Sequence, residues 1–291
     1  MRTSELTLHE KICLVTGATS GIGEATALAL AQRGATTLLV GRNPANGADA
    51  VARIKSQTSN PHVIFLQADL SSQAEVYELV RCYKQQYSQL HILVNNAGTL
   101  LAKRQESCDG IEMTLALNHL SPFLLTNLLL DMLRASAPAR VINISSALHS
   151  QARLDLDDLQ SHKHYSGMMA YNRSKLANLL FTYEMARRLD GAGVTVNAVG
   201  LSLTRTNLYR RQNIGVLMGL LCAVLTRAAP TAEKAAEAIV YLATSSDVAH
   251  ITGKYFVGQQ AVPSSEQSYD QNLAKRLWQM SAMQTGLTAT T

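Results

Sequence analysis

The sequence predicts an α/β fold: a doubly wound, seven-stranded parallel sheet with helices on both faces. Three observations carry this. Short runs of strand-forming apolar residues alternate with helical patterns along the whole chain, the order that builds a parallel sheet. Most of these runs are continuously apolar, as strands buried on both faces are. A glycine cluster lies between the first strand and the first helix, where a βα turn can bring its backbone against an anionic ligand. No linker or repeat divides the chain, so residues 1–291 read as one domain.

Composition narrows the function. With 47% hydrophobic and 5% aromatic residues the chain has ample core for a helix-and-sheet globule. The net charge is +5, yet Lys and Arg form no block and are not interleaved with aromatics. That argues against nucleic acid and for a small anionic ligand. Cys13, Cys82, Cys108 and Cys222 show no Cys-x-x-Cys or Cys/His metal spacing, so no metal is expected and the thiols suit a reducing, cytoplasmic setting. The N-terminus carries no apolar leader, and the longest apolar run, Ile214 to Leu225, falls short of the roughly 20 residues a membrane span needs. Peripheral association is the most membrane contact this allows.

The elements follow in order. Lys11 to Thr16 reads as a buried first strand. It runs into Gly17-Ala18-Thr19-Ser20-Gly21-Ile22-Gly23 and a helical pattern from Glu24 to Arg33. Glycines here let the chain turn sharply and approach a pyrophosphate, whose charge then lies among the free N–H groups of a helix start. This is the glycine loop of a Rossmann fold, with the spacing Gly-x-x-x-Gly-x-Gly in place of the commoner Gly-x-Gly-x-x-Gly. The second strand, Ala35 to Gly41, ends at Arg42-Asn43-Pro44. An acid about 20 residues beyond the glycines binds a ribose 2′-hydroxyl, whereas an arginine accommodates a 2′-phosphate. Arg42 with no Asp or Glu from Gly41 to Ala48 therefore predicts NADP(H).

A helix from Pro44 to Gln57 leads to a third strand, His62 to Gln67, which ends at Asp69-Leu70. The Asp69 carboxylate suits either an adenine amino group or the N-cap of the next helix, Gln73 to Tyr87. The fourth strand, His91 to Val94, runs into Asn95-Asn96-Ala97-Gly98, a small-residue turn at a strand's C-terminal end, where open α/β sheets bind ligands. Helical patterning fills Glu106 to Ala135, broken at Ser121-Pro122, with Asn118 inside it. A mid-helix Asn is intrinsically unfavourable and can divert a carbonyl or hold water. The fifth strand is Arg140 to Ile144, followed by Ser145-Ser146 and a polar, His-rich connection from Ala147 to Met169.

Tyr171-Asn-Arg-Ser-Lys175 opens an apolar-periodic run through Leu176, Leu179, Leu180, Tyr183, Met185, Ala186 and Leu189, an amphipathic helix. Residues four apart share a face, so the Tyr171 phenol and Lys175 ammonium stand side by side. Bringing a phenol from a pKa of ~10 to near neutrality takes about 4 kcal/mol, close to what one charge at ~4 Å supplies at an effective dielectric of ~20. The pair can donate and accept a proton at physiological pH. Its apolar face suits either core or dimer packing. A sixth strand, Val194 to Val199, is followed by Leu201-Ser202-Leu203-Thr204-Arg205-Thr206 and an apolar lid within about 201–228. A helix from Thr231 to Thr244, a seventh strand from Lys254 to Val257 and a helical tail at about 265–285 complete the chain.

Read together, Thr16-Gly17-x-x-x-Gly21-x-Gly23, Asn95-Asn96-Ala97-Gly98, Asn118, Ser146 and Tyr171-x-x-x-Lys175 resemble the short-chain dehydrogenase/reductases over nearly the whole chain. Asn118-His-Leu-Ser-Pro-Phe-Leu-Leu-Thr, the long Ser146 to Tyr171 connection and Ala274-Lys-Arg-Leu-Trp278 look most like the retinol dehydrogenase and WW-domain oxidoreductase branch. The resemblance implies Tyr171 as general acid/base, Ser146 as hydrogen-bond donor to the reacting oxygen, Lys175 on the nicotinamide ribose, and Asn118 holding a water linked to Lys175. It further implies that NADP(H) lies along Gly17, Thr19, Ser20, Gly21, Ile22, Gly23, Arg42, Asn43, Asp69, Leu70, Asn95, Ala97, Gly98, Tyr171, Lys175, Thr204 and Thr206. One departure stands out. Leu201-Ser202 replaces the family's usual Pro-Gly after the sixth strand.

The expected activity is NADP(H)-dependent interconversion of a carbonyl and an alcohol on a lipophilic small molecule: a retinoid-like aldehyde, a steroid or a polyketide-type ketone. Leu201-Ser202 motivates the alternative, a nucleotide-binding scaffold or regulator of the same fold with little turnover. A homodimer or a homotetramer is compatible with the chain, and the sequence does not choose a quaternary state.

Overall fold

A computed structural model of the chain describes residues 7–201 and 229–288. Apart from Leu201 the expected lid lies outside the described residues, and so do Thr204, Thr206 and Cys222.

Strands β1 (Ile12–Thr16), β2 (Thr36–Gly41), β3 (Val63–Gln67), β4 (Ile92–Asn95), β5 (Ala139–Ser146), β6 (Val194–Leu201), β7 (Tyr255–Val257) and β8 (Gln260–Ala261) form one sheet in the order β3-β2-β1-β4-β5-β6-β7-β8. The first seven are parallel. β8 pairs antiparallel with β7 through Phe256 and Ala261 and makes the sheet eight-stranded, where seven were expected. Two residues whose burial pattern is fully exposed have no hydrophobic signature, and only the return of the chain past β7 makes them a strand.

Both faces are covered. Cys13, Val15, Leu39, Ile92, Val94, Ile142 and Ile144 pack against Ala27, Leu30 and Ala31 of α1 (Gly21–Gln32), Ala50 and Ile54 of α2 (Pro44–Thr58), and Ile239 and Leu242 of α8 (Ala232–Thr244). The intervening residues Leu14, Leu38, Val40, Leu93 and Val141 face the other way. They meet α3 (Gln73–Gln86), α5 (Ser121–Leu128), α6 (Leu130–Ala135), α7 (Gly167–Arg188) and α9 (Gln271–Gln284). This is the two-residue alternation of a pleated strand serving two cores at once. The apolar face of α7 is buried within this chain: Leu176, Leu179, Leu180, Met185 and Leu189 are all in its core.

The helix expected from Glu106 to Ala135 starts later, as α4 (Met113–Leu115). Residues 106–112 instead close a small turn, with a Glu106–Glu112 bridge and Gly110 at a φ of 73°. The Glu112 carboxylate then accepts the N–H groups of Thr114 and Leu115, which stops the helix from extending backwards. Ala116–Leu120 is a π turn between α4 and α5, and Asn118 lies at its centre. The tail divides into a 3-10 turn at Glu266–Tyr269 and α9, whose Trp278 and Ala282 enter the core.

Candidate active site

Sheet order reverses between β1 and β4, and the C-terminal ends of these two strands open a crevice, the place where doubly wound sheets bind ligands. Its floor is the turn from Gly17 to Gly23. Gly17 and Gly21 take positive φ values of 64° and 58°, and a Cβ on Gly23 would collide with the Gly17 carbonyl and stand 2.5 Å from Asn96 Nδ2. Only glycine allows that approach. The N-cap of α1, Ser20, makes no side-chain capping hydrogen bond. The first-turn N–H groups of this helix thus lack the usual side-chain acceptor, an arrangement that favours an anion.

The opposite wall is tied to the floor. Thr16 Oγ1 accepts the N–H groups of Asn96 and Ala97 at 2.9 and 3.0 Å, and Asn96 Nδ2 donates to the Thr16 carbonyl at 2.8 Å. A cleft of about 580 Å³ runs from Arg42 and Asp69 past this loop to Tyr171 and Lys175. Thr19, Ser20, Ile22, Leu70, Ala97, Gly98 and Leu201 also line it, together with the three glycines of the loop. Arg42 is exposed at the mouth. Asp69 Oδ1 accepts both the N–H and the hydroxyl of Ser71, while the N-cap of α3 is Ser72. Of the two roles open to Asp69, helix capping is therefore taken by its neighbour.

Among the described residues, four of the expected ones are absent from the lining. Asn43 caps α2 by accepting the Asn46 N–H. Asn95, the last residue of β4, points inward and donates to Thr126 Oγ1 and Asn143 Oδ1. Asn118 is consumed locally: Oδ1 accepts the Thr99 N–H at 2.7 Å, and Nδ2 donates to the Thr99 carbonyl and to Ser174 Oγ. Ser174 Oγ in turn donates to the Tyr171 carbonyl at 2.7 Å, so one amide clamps the 96–99 loop to the turn that carries Tyr171. Ser146 ends β5, with Leu201 as its partner on β6.

The two serines divide their hydroxyls. Ser145 Oγ donates to the Lys175 carbonyl at 2.9 Å, which commits its proton to the helix. Ser146 Oγ accepts from the Leu148 N–H at 3.3 Å, so its own hydrogen is left for another acceptor. Lys175 Nζ is buried, donates to the Ile144 carbonyl at 3.1 Å and stands 5.3 Å from the centroid of the Tyr171 ring. Burial lowers the ammonium to about 8, so at neutral pH it still carries most of its charge.

Sequence reasoning passed over Asn96, Ser174 and the apolar wall formed by Leu101, Met113 and Leu117. Ser174 was within reach, three residues after Tyr171 on the same helix face. Met113 and Leu117 come from α4 and the π turn, and Leu101 from the 96–105 loop, where Tyr165 donates to the Leu101 carbonyl and Gly167 leaves room for it. Among the described residues no cluster of His, Cys, Asp and Glu is able to hold a metal, and no helix is long and apolar enough to cross a membrane.

Comparison with known proteins agrees with this fold. The chain is 40% identical to human retinol dehydrogenase 13 over 294 residues, covering 98% of this chain and 88% of that protein. It is 38% identical to human retinol dehydrogenase 12, with 96% and 88% covered. A Pseudomonas aeruginosa RhlG/NADP active-site complex superposes with a TM-score of 0.69 at 29% identity, covering 86% of this chain and 95% of that one. A short chain dehydrogenase from Burkholderia cenocepacia in complex with NADP gives 0.69 at 25%, with 87% and 97% covered. Residues 11–215 match the short chain dehydrogenase family, and the chain belongs to that family.

Proposed function

We propose that this chain is an NADP(H)-dependent oxidoreductase that interconverts a carbonyl and an alcohol on a lipophilic small molecule. The observation that carries this reading is the buried Lys175 ammonium beside the Tyr171 ring at the inner end of a glycine-floored cleft. The cleft suits the cofactor. The uncapped start of α1 would meet the pyrophosphate, the close Gly17–Gly23 contact would let it approach, and exposed Arg42 would take a 2′-phosphate. NADP-bound relatives of the same fold support the choice. When bound, the nicotinamide supplies and takes up the hydride.

The chain's own residues manage the proton and the substrate oxygen. Tyr171 gives its phenolic proton to the oxygen of a carbonyl being reduced, and takes it back from an alcohol being oxidised. Lys175 stabilises the phenolate left behind and would hold the ribose hydroxyls of the bound cofactor. Ser146 donates its uncommitted hydroxyl hydrogen to the same oxygen, where negative charge builds up. Asn118 keeps the 96–99 loop and α7 in register through Thr99 and Ser174. Leu101, Met113, Leu117 and Leu201 present an apolar wall near Tyr171, which suits a retinoid-like aldehyde, a steroid or a polyketide-type ketone. The relatives named retinol dehydrogenase favour the first. Among the described residues Cys13, Cys82 and Cys108 are free thiols, which fits a reducing compartment such as the cytoplasm.

NADPH oxidation in the presence of all-trans-retinaldehyde, followed at 340 nm alongside a panel of apolar ketones, tests this reading. Turnover should appear and be lost in Tyr171→Phe. An undiminished rate in that variant would reject the mechanism. Leu201, beside Ser146 in the β5/β6 register, motivates the second reading of a low-turnover NADP(H)-binding regulator. Tight NADPH binding with no turnover across the panel would select it.

A further inference from the structure

The connection after β5 holds a buried imidazole that the chemistry above does not use. His149 sits on the 3-10 turn Ala147–Gln151 and is 3% exposed. Its Nδ1 lies 2.6 Å from the Ser146 carbonyl oxygen, and its Nε2 lies 3.0 Å from the backbone nitrogen of Ser265. Those two partners fix the tautomer. A carbonyl only accepts, so Nδ1 carries the hydrogen. A backbone N–H only donates, so Nε2 carries the lone pair. A neutral ring protonated on Nδ1 satisfies both, and an imidazolium would set an N–H against the Ser265 N–H. The edge-to-face contact with Tyr255, 5.0 Å between centroids at 71°, closes the remaining side of the ring. Burial disfavours the charged form here, and the Ser146 carbonyl offsets this only in part.

We propose that His149 is a positioning residue for Ser146: its Nδ1–H holds the peptide that follows Ser146, and so aims the serine hydroxyl at the reacting oxygen. The inference rests on the assignment of Ser146 as donor to that oxygen. Among the described residues the Ser146 side chain has one other restraint, a 3.3 Å bond from the Leu148 N–H, and its β6 partner is Leu201. The imidazole supplies rigidity from the opposite side. Its second bond recruits the segment before α9. Ser265 follows Ser264, whose hydroxyl meets the Tyr183 hydroxyl at 2.7 Å, and Tyr269 stacks on Tyr183 5.3 Å away. The tail thereby holds the ring in place, and the ring holds the serine.

Three substitutions separate the two bonds in the full-length protein, assayed with NADPH and all-trans-retinaldehyde. His149→Asn keeps an N–H near the Nδ1 position and loses the acceptor for Ser265. His149→Gln extends an acceptor toward Ser265 and loses the donor near Ser146. His149→Ala loses both. We expect kcat to fall by about tenfold or more in the Ala and Gln variants with KM changed less than about twofold, and the Asn variant to recover most of the rate. In a Ser146→Ala background, His149→Ala should cost nothing further. Gln outperforming Asn, or a full additional loss in that background, would overturn the proposal while leaving Ser146 in its role. An unimpaired Ser146→Ala enzyme would remove the role and the proposal together. A long-range ¹H–¹⁵N spectrum of the histidine rings needs no turnover: it should show His149 protonated on Nδ1, and a hydrogen on Nε2 would refute the proposal.

Discussion

Lys175 Nζ stands over the Tyr171 ring, 5.3 Å from its centroid, and donates to a carbonyl that a second side chain also holds. That carbonyl, of Ile144, accepts from Asn178 Nδ2 at 3.2 Å as well. The lysine is therefore buried beside an acceptor that does not depend on it. Burial alone lowers its ionisation from 10.5 to about 8, and the cation is held at a cost to the fold.

Replacing this lysine should stabilise the protein and inactivate it. Below pH 8 the ammonium is charged in both the folded and unfolded chain, and the folded state bears the full desolvation cost. That cost disappears as pH rises from about 8 to 10.5. Lys175→Met removes it and leaves the Ile144 carbonyl bonded to Asn178. After allowing for one lost hydrogen bond, the gain is about 2 kcal/mol at pH 7, and it should shrink toward pH 10. Urea unfolding at both pH values measures it. Turnover should be lost, and in the unsubstituted enzyme kcat/KM should titrate near pH 8, with the limb moved upward in Lys175→Arg.

His119 sets an acid limb. It is fully buried, with Nε2 2.9 Å from Ser281 Oγ and Nδ1 3.4 Å from Asn178 Oδ1, and burial pushes its pKa from 6.5 down to about 4. Between these values only the unfolded chain takes the proton, so stability falls as pH drops from 6.5 to 4, by about 3 kcal/mol for this group. His119→Gln should flatten that slope relative to the parent. Parallel slopes over this range would show that the folded ring accepts its proton.

Gly23→Ala should weaken NADPH binding by about tenfold or more and destabilise the fold by about 1–3 kcal/mol, because the new methyl meets the Gly17 carbonyl and Asn96 Nδ2. Gly110→Ala is the control. Its φ of 73° carries strain, but nothing lies within 4 Å of the added carbon, so stability should fall by about 1 kcal/mol with NADPH affinity intact. Equal losses of affinity in the two variants, measured by fluorescence titration, would remove the glycine floor from the cofactor site.

Arg42→Asp should weaken NADPH far more than NADH, since it replaces a cation at the mouth of the cleft with a charge opposed to the 2′-phosphate. Equal effects on the two cofactors would place the phosphate elsewhere.

The amino-acid sequence by itself determined the alternation of strands and helices, the glycine turn after β1 and the shared helix face of Tyr171 and Lys175. These are local properties, set by periodicities of two and 3.6 residues and by the need for glycine at a sharp turn. Tertiary structure alone decided the rest. It broke the expected helix at Glu112, whose carboxylate caps Thr114 and Leu115. It added β8 and turned Asn95 inward while Asn96 faced the cleft. It gave Ser145 to the Lys175 carbonyl and left the Ser146 hydrogen uncommitted, and it brought Ser265 to His149 across the fold. The bonds of Asn95, Asn96, Ser145 and His149 are choices of hydrogen-bond partner distant in sequence. No periodicity encodes such a choice, because it is made only when packing brings the donors and acceptors together and leaves each buried polar group to find one.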